Sequence, residues 1–282
     1  MIIGTMAGTL ARSTLSETFD AIIKHGIHHI QFSFACAGLG ETPESIDQKL
    51  CDSIRKDMEL RGIIMSALSG TFNMIDPDLQ KRKESLRRFR LMASVCHSLG
   101  TSVITLCTGT RDPLSMWRRH PDNDLPDAWD DLVASMGEAL EAAEKYNVDL
   151  AFEPEVSNVI DSAIKARRLI DQIGSSHLKV VMDPANIFHK GELPKMREMI
   201  TEAFDLLGKD IALAHAKDLD HDGDAGHLPA GKGLLDYKLY LSLMEKFAPD
   251  IPLILHGLTE AELDWCIRFL ESSSNMSESK KS

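Results

Sequence analysis

Four short segments in the second half of the chain each end an apolar run on a side chain that can bind a metal ion or carry a proton. They are A-F-E-P-E (151–155), V-V-M-D-P-A-N (180–186), A-L-A-H-A-K-D (212–218) and L-I-L-H-G (253–257). The side chains are Glu153, Asp183, His215 and His256, spaced 30, 32 and 41 residues apart. A carboxylate at the end of a buried strand must be paired, protonated or metal-bound, because an unpaired buried charge is costly. A mixed set of oxygen and nitrogen donors with no thiolate suits Mn2+, Co2+, Mg2+, Fe2+ or Zn2+. A divalent metal on these four residues is therefore expected, with the alternative that His256 touches substrate and not metal.

Neighbours of these residues carry the rest of the chemistry. Side chains alternate along a strand, so Glu155 shares a face with Glu153 if the strand continues through Pro154. Two carboxylates on one face can divide into a metal ligand and a general base. By the same alternation Lys217 lies on the face of His215, where an ammonium could hold a substrate oxygen or stabilise an enolate, unless it only forms a rim salt bridge with Asp218 or Glu155. Glu153, Glu155, Lys217 and His256 are the catalytic candidates. Asn186 follows Asp183 by three residues and could reach back to the same rim.

Other chemistries find little support. The chain has no G-x-S-x-G and no G-x-x-x-x-G-K-[ST], and Cys107 has no His–Asp partner nearby in sequence. The stretch A-G-K-G (230–233) is too short for a phosphate loop, although its amides and Lys232 could meet a polar substrate group. His28 and His29 open a strand on the side away from the rim and read as structural.

The elements that must position these residues alternate from start to end. Apolar or β-branched runs at 2–6, 29–34, 63–68, 102–107, 149–153, 179–183, 211–215 and 252–256 read as strands. Helical patterns lie between them at 15–25, 44–61, 79–98, 127–146, 160–173, 195–208, 236–247 and 259–271. Acidic first turns at 16–18 and 259–262 mark helix starts, and Gly26, Gly62, Gly100 and Gly208 mark helix ends. Eight alternations predict an α/β fold, a single (β/α)8 TIM barrel over 1–271 with a polar, disordered tail at 272–282. A doubly wound open sheet is the competitor, but its glycine fingerprint is not matched by G-T-M-A-G-T-L after the first strand. The long connections 108–126 and 217–235 belong on the C-terminal rim, where barrel active sites lie. Arg111, Trp117 and Arg118 make the first of them read as a substrate cover, with a surface loop packed by one Trp as the alternative.

Composition bounds the partners. A net charge of −12 argues against a nucleic-acid backbone. No apolar run reaches the roughly 18 residues of a membrane span. No basic segment precedes the apolar start, so a signal peptide is not expected. The five cysteines are odd in number and form no C-x-x-C, which favours reduced thiols and a cytoplasmic protein.

With these residues in view, the chain resembles the xylose isomerase-like TIM barrels, in particular the sugar phosphate isomerase/epimerase group. The resemblance spans nearly the whole chain. It rests on F-E-P-E (152–155), D-P-A-N (183–186), A-H-A-K-D (214–218) and G-K-G-L-L-D-Y (231–237), with S-G-T-F-N-M (69–74) and W-R-R-H-P-D-N (117–123) in support. It implies a divalent metal at the barrel mouth, held at the positions of Glu153, Asp183, His215 and His256. It also implies a small sugar or sugar-like hydroxy-carbonyl substrate, contacted by Arg111, Trp117, Asn158, Asn186 and Lys232, with a homo-oligomer permitted. Ketose 3-epimerases of this family exchange protons between two glutamates, after the fifth and eighth strands. Here the eighth-strand Glu is His256, and the His that often follows the sixth-strand Asp by three residues is Asn186. The expected activity is metal-dependent isomerisation or epimerisation. Elimination opening a keto-glycoside at the same site is the alternative, followed by an abasic-site nuclease or a non-catalytic binding barrel.

Overall fold

A computed structural model describes residues 1–278 as a closed barrel. Its strands are β1 (Ile3–Met6), β2 (His29–Phe32), β3 (Ile64–Ser69), β4 (Val103–Cys107), β5 (Asp149–Glu153), β6 (Leu178–Met182), β7 (Ile211–Asp218), β8 (Leu228–Pro229) and β9 (Leu253–Leu255). The sheet order is β6-β5-β4-β3-β2-β1-β9-β7-β8, and an additional β6–β7 pairing closes it. The pairs around the ring are parallel; β8 is a short antiparallel ribbon on β7 and not a barrel strand. The eight ring strands are those the sequence predicts, and the fold is a single (β/α)8 barrel.

Eight helices cover the outside: α1 (Leu15–Lys24), α2 (Gln48–Glu59), α3 (Leu79–Leu99), α4 (Pro126–Tyr146), α5 (Ala163–Ile173), α6 (Met196–Leu207), α7 (Tyr237–Phe247) and α8 (Glu260–Glu278). The cap of α1 is Thr14, whose side chain accepts from the Glu17 amide while Glu17 accepts from the Thr14 amide. Gly26, Gly62 and Gly100 take positive φ at helix ends as expected. Gly208 does not: its φ is −53°, and a Cβ there would stand 2.5 Å from the Phe247 ring, so close packing is what requires glycine. The sequence ends the last helix at 271, but the structure continues α8 to Glu278, with Ser274 beside Met1, Leu241 and Met244 at the lower face of the barrel. Residues 279–282 of the tail expected at 272–282 lie outside the described residues.

Two apolar layers hold this shell together. The larger lies between strands and helices; the smaller fills the barrel interior with Ala67, Ala151, Val181, Leu213 and Ile254. Period-2 alternation then dictates what stands one layer higher on the same strands. Two residues beyond Ala151, Val181, Leu213 and Ile254 come Glu153, Asp183, His215 and His256. The apolar plug thus sets the floor on which the polar residues sit, at the C-terminal mouth.

Candidate metal and active site

The mouth is built from buried polar side chains on facing strands. Asp183, His215 and His256 each present a ligand atom within 4.8 Å of the others. The His215 and His256 rings lie edge to face with centroids 5.1 Å apart. Glu153 stands beside this trio but outside it: its Oε1 is 3.3 Å from His215 Nδ1 and accepts a 2.6 Å hydrogen bond from Asn186 Nδ2. Lys217 Nζ lies 3.2 Å from Asp183 Oδ2 and 3.8 Å from Glu153 Oε1.

The hydrogen-bond wiring fixes how the His215 ring is presented to its neighbours. Gln31 on β2 donates through Nε2 to Ser69 Oγ and Thr105 Oγ1, so its Oε1 accepts from His215 Nε2 at 2.8 Å. That assignment puts the His215 proton on Nε2 and leaves Nδ1 facing Glu153 and Asp183. Asp183 Oδ2 and His256 Nδ1 are buried and make no hydrogen bond. His256 Nδ1 is thus an orphan where buried polar atoms are normally satisfied, and Asp183 Oδ2 is met only by the Lys217 ammonium at 3.2 Å; beside the His215 ring these atoms fit a cation site. One carboxylate and two imidazoles are a suitable donor set for a divalent transition ion.

Electrostatics separate the roles. Burial alone would raise the Glu153 carboxyl, but interaction with the His215 ring, in full when that ring is protonated, and the charge of Lys217 outweigh it and hold the group below its ordinary range. Asp183 moves the other way, to about 6, because burial and the Glu153 charge outweigh the pull of Lys217. The two carboxyls share one ammonium and titrate as a pair. Lys217 itself is raised: burial works against its charge, and the Asp183 and Glu153 carboxylates prevail. His256 is partly exposed at the mouth, yet burial of its inner face and repulsion from Lys217 and His215 lower it to about 3. It is a neutral imidazole at pH 7.

The remaining expected residues have other partners. β5 ends at Glu153, so the alternation that would align Glu155 with it is broken at Pro154. Burial raises the Glu155 carboxyl, and its oxygens accept from the Ser157 amide and from Asn158 Nδ2 at 2.6 Å. Asn158 also accepts from the Gly109 amide at 2.6 Å, so it ties two rim loops together. Gly109 has φ +82°, and a Cβ there would meet Asn73 Oδ1 at 2.1 Å. Asn186 spans Glu153 and the Gly226 amide. Arg111 pairs with Asp131 of α4 at 2.6 Å, and the Lys232 ammonium sits 3.9 Å over the Trp265 ring of α8. Trp117 is 59% exposed on its rim loop. Lys217 pairs with Asp183 and Glu153, while Asp218 instead receives the amides of Gly231 and Leu235 and shapes the following loop.

The open depression at the mouth, about 700 Å³, is lined by Met6, Gln31, Cys36, His227, His256 and Thr259 among others. It lies on the β1–β2–β9 side. Gln31, Cys36 and His227 are absent from the sequence-derived set. For Gln31 a signal existed: an amide inside H-I-Q-F, on the same face as His29 and one layer higher.

Comparison with known proteins bears on the fold. A search of curated protein sequences returns no match. Solved structures share the fold at low identity. A D-tagatose 3-epimerase-like protein superposes with a TM-score of 0.79 at 14% identity, covering 100% of each chain. The IolI protein with a bound zinc atom gives 0.73 at 18%, covering 98% of this chain and 99% of the other. The 3-keto-D-glucoside 4-epimerase YcjR from E. coli gives 0.70 at 16%, covering 96% and 99%. A family model described as xylose isomerase-like TIM barrel matches residues 19–269, and with the closed barrel and its polar mouth already in hand, the chain belongs to that family.

Proposed function

We propose that this protein is a metal-dependent isomerase or epimerase of a sugar or sugar-like hydroxy-carbonyl compound, acting by proton removal next to a carbonyl. The observation that carries the reading is the convergence of Asp183, His215 and His256, one ligand atom of each within 4.8 Å of the others, beside an ionised Glu153. A divalent ion held by Asp183, His215 and His256 would polarise a carbonyl and stabilise the negative charge that develops on its oxygen.

The chain's own groups divide the remaining work. Glu153 is the base: its Oε1 is held by Asn186, which orients the carboxylate that takes the C–H proton. Lys217 is a fixed ammonium 3.8 Å from that carboxylate and serves an oxyanion as a donor, not as a base. His256 replaces a second carboxylate with a neutral ring, so the mouth has one ionised base directed at substrate and not two on opposite faces. The carboxylate of Glu155 is occupied by its own loop. One base suffices for proton transfer between adjacent carbons. It also suffices for elimination from a keto-glycoside, which is the second reading, favoured by the same observation. The net charge of −12 supports a small-molecule substrate over a nucleic acid.

Solvent-deuterium exchange at the carbon next to the carbonyl tests the reading directly, because isomerisation, epimerisation and elimination all begin there. Ketoses and 3-keto-glycosides incubated with metal-replete protein in D2O should exchange, and product analysis then separates rearrangement from elimination. In Glu153→Gln the exchange rate should fall by about 100-fold to 10,000-fold, the usual value of a positioned base. An unchanged rate would remove Glu153 from that role.

A further inference from the structure

The mouth differs from a carboxylate-rich metal site in one residue, and that residue decides which ion it can hold. We infer that His256 makes this a two-imidazole, one-carboxylate centre selective for nitrogen-seeking divalent ions, Zn2+, Co2+ or Fe2+, over Mg2+ and Mn2+. The inference rests on the metal-dependent reading above and specifies its cofactor class.

Three features of the chain support it. The convergent donors are two ring nitrogens and one carboxylate oxygen, since Glu153, the remaining carboxylate, is engaged by Asn186 at 2.6 Å and lies outside the trio. Magnesium keeps an octahedral shell of oxygens and gives up its waters reluctantly, whereas imidazole suits zinc, iron and other late ions. The His215 donor atom is also fixed in advance, because Gln31 Oε1 engages Nε2 at 2.8 Å and leaves Nδ1 for the ion.

Lys217 adds a second filter. Its Nζ is 3.2 Å from Asp183 Oδ2, the oxygen without a hydrogen bond. An incoming cation meets an ammonium already neutralising the carboxylate. An ion bound chiefly by charge gains little from replacing or joining that contact. An ion with strong affinity for imidazole nitrogen gains two bonds that the ammonium cannot form. Lys217 thus penalises hard ions more than soft ones, a case of selectivity obtained by repulsion.

Equilibrium binding to the metal-stripped full chain tests this, using calorimetry or a competing chelator with Zn2+, Co2+, Mn2+ and Mg2+. Every mixed site follows the general order in which Zn2+ exceeds Mn2+, so the decisive quantity is how the ratio changes on substitution. His256→Glu should narrow the Zn2+/Mn2+ affinity ratio by about 10-fold or more, and the Co2+ absorption spectrum should change as a nitrogen donor is lost. Lys217→Met should narrow the ratio from the other side, by raising Mn2+ affinity more than Zn2+ affinity, which keeps the inference testable if His256→Glu fails to fold. Ratios unchanged in both variants, or Mg2+ and Mn2+ binding as tightly as Zn2+ in the wild type, would overturn the selectivity while leaving metal dependence intact. Absence of binding by any of the four ions would overturn the metal-dependent reading itself.

Discussion

Among the described residues, two groups of one aspartate and two histidines stand on the C-terminal side of this barrel, and their surroundings suit them unequally to a metal ion. Asp183, His215 and His256 line the mouth; Asp220, His221 and His227 lie on the loop after β7. Each pair of rings has centroids 5.1 Å apart, so spacing does not distinguish them. Their surroundings do. The outer group is fully exposed and self-neutralising: His221 Nδ1 lies 2.5 Å from Asp220 Oδ1, and His227 Nε2 lies 3.4 Å from the same oxygen. Its hydrogen bond to Asp220 raises His221, so the aspartate favours the protonated ring, in competition with a metal. In the inner group, burial keeps His256 neutral with its Nδ1 unpartnered, and only the Lys217 ammonium answers Asp183 Oδ2. A constellation becomes a site when the fold withholds the proton or partner that would satisfy it.

The largest effect should come from breaking the inner group. Asp183→Ala removes a donor that also anchors Lys217, and divalent-ion affinity should fall by more than 100-fold, roughly the upper end of what removal of an outer-shell partner costs. Asp220→Ala should leave affinity within about threefold of wild type. Metal analysis after desalting, followed by titration of the stripped proteins, checks both. Loss of the ion from Asp220→Ala with retention in Asp183→Ala would reverse the assignment of the two groups.

The inner group was legible in the sequence because it obeys strand periodicity. Each of Glu153, Asp183, His215 and His256 closes a run of apolar residues, and one strand–helix unit separates consecutive members. What was not legible depends on side chains meeting across the barrel. Alternation could assign Lys217 to the His215 face but could not show that Asp183 and not Asp218 is its partner. Gln31 lies 184 positions from His215 in the chain, and only closure of the barrel brings them to 2.8 Å. Glu155 and Asn158 carry a plausible polar signature that the structure spends on loop hydrogen bonds, because Pro154 ends the strand one residue too early. Arg111 and Lys232 were placed by their loops, whereas an ion pair and an aromatic face on neighbouring helices claim their charges.

A smaller effect isolates the wiring behind the inner group. Gln31→Leu removes the acceptor that holds the His215 proton on Nε2, so the ring is free to place that proton on the atom facing the carboxylates. Metal affinity should fall about 10-fold to 100-fold, as for other partners that orient a ligand. Gln31→Glu keeps an acceptor toward Nε2, and Ser69 and Thr105 can turn their hydroxyls to donate to it, so this variant should retain more affinity than Gln31→Leu. Equal losses in the two would indicate that Gln31 acts by filling space and not by fixing the tautomer. The corresponding contact in the outer group, His227 with Asp220, should be removable without effect on the bound ion.

A third carboxylate supplies the smallest and sharpest contrast. Asp161 is as buried as Asp183, with side chains exposed by 5% and 0% respectively, but it is saturated with cations: Lys165 at 2.9 Å, Arg119 at 3.1 Å and His189 at 3.5 Å. Burial alone would raise its carboxyl, yet hydrogen bonds from His189 and Lys165 and their charges hold it at about 2 against an ordinary 3.8. A depressed acid stabilises the fold above the unfolded-state value and loses that contribution as the pH falls from 3.8 through 2. The shift corresponds to about 1 to 2 kcal/mol after allowance for solvent screening of Lys165 and Arg119. Asp161→Asn should therefore be less stable than wild type by that amount at pH 7, and the two denaturation midpoints should converge as the pH approaches 2. A gap that stays constant across this range would assign the role of Asp161 to packing. Convergence would mark the physical difference between the two buried aspartates: the charge of one is answered by several groups of the chain, and that of the other chiefly by the single ammonium of Lys217.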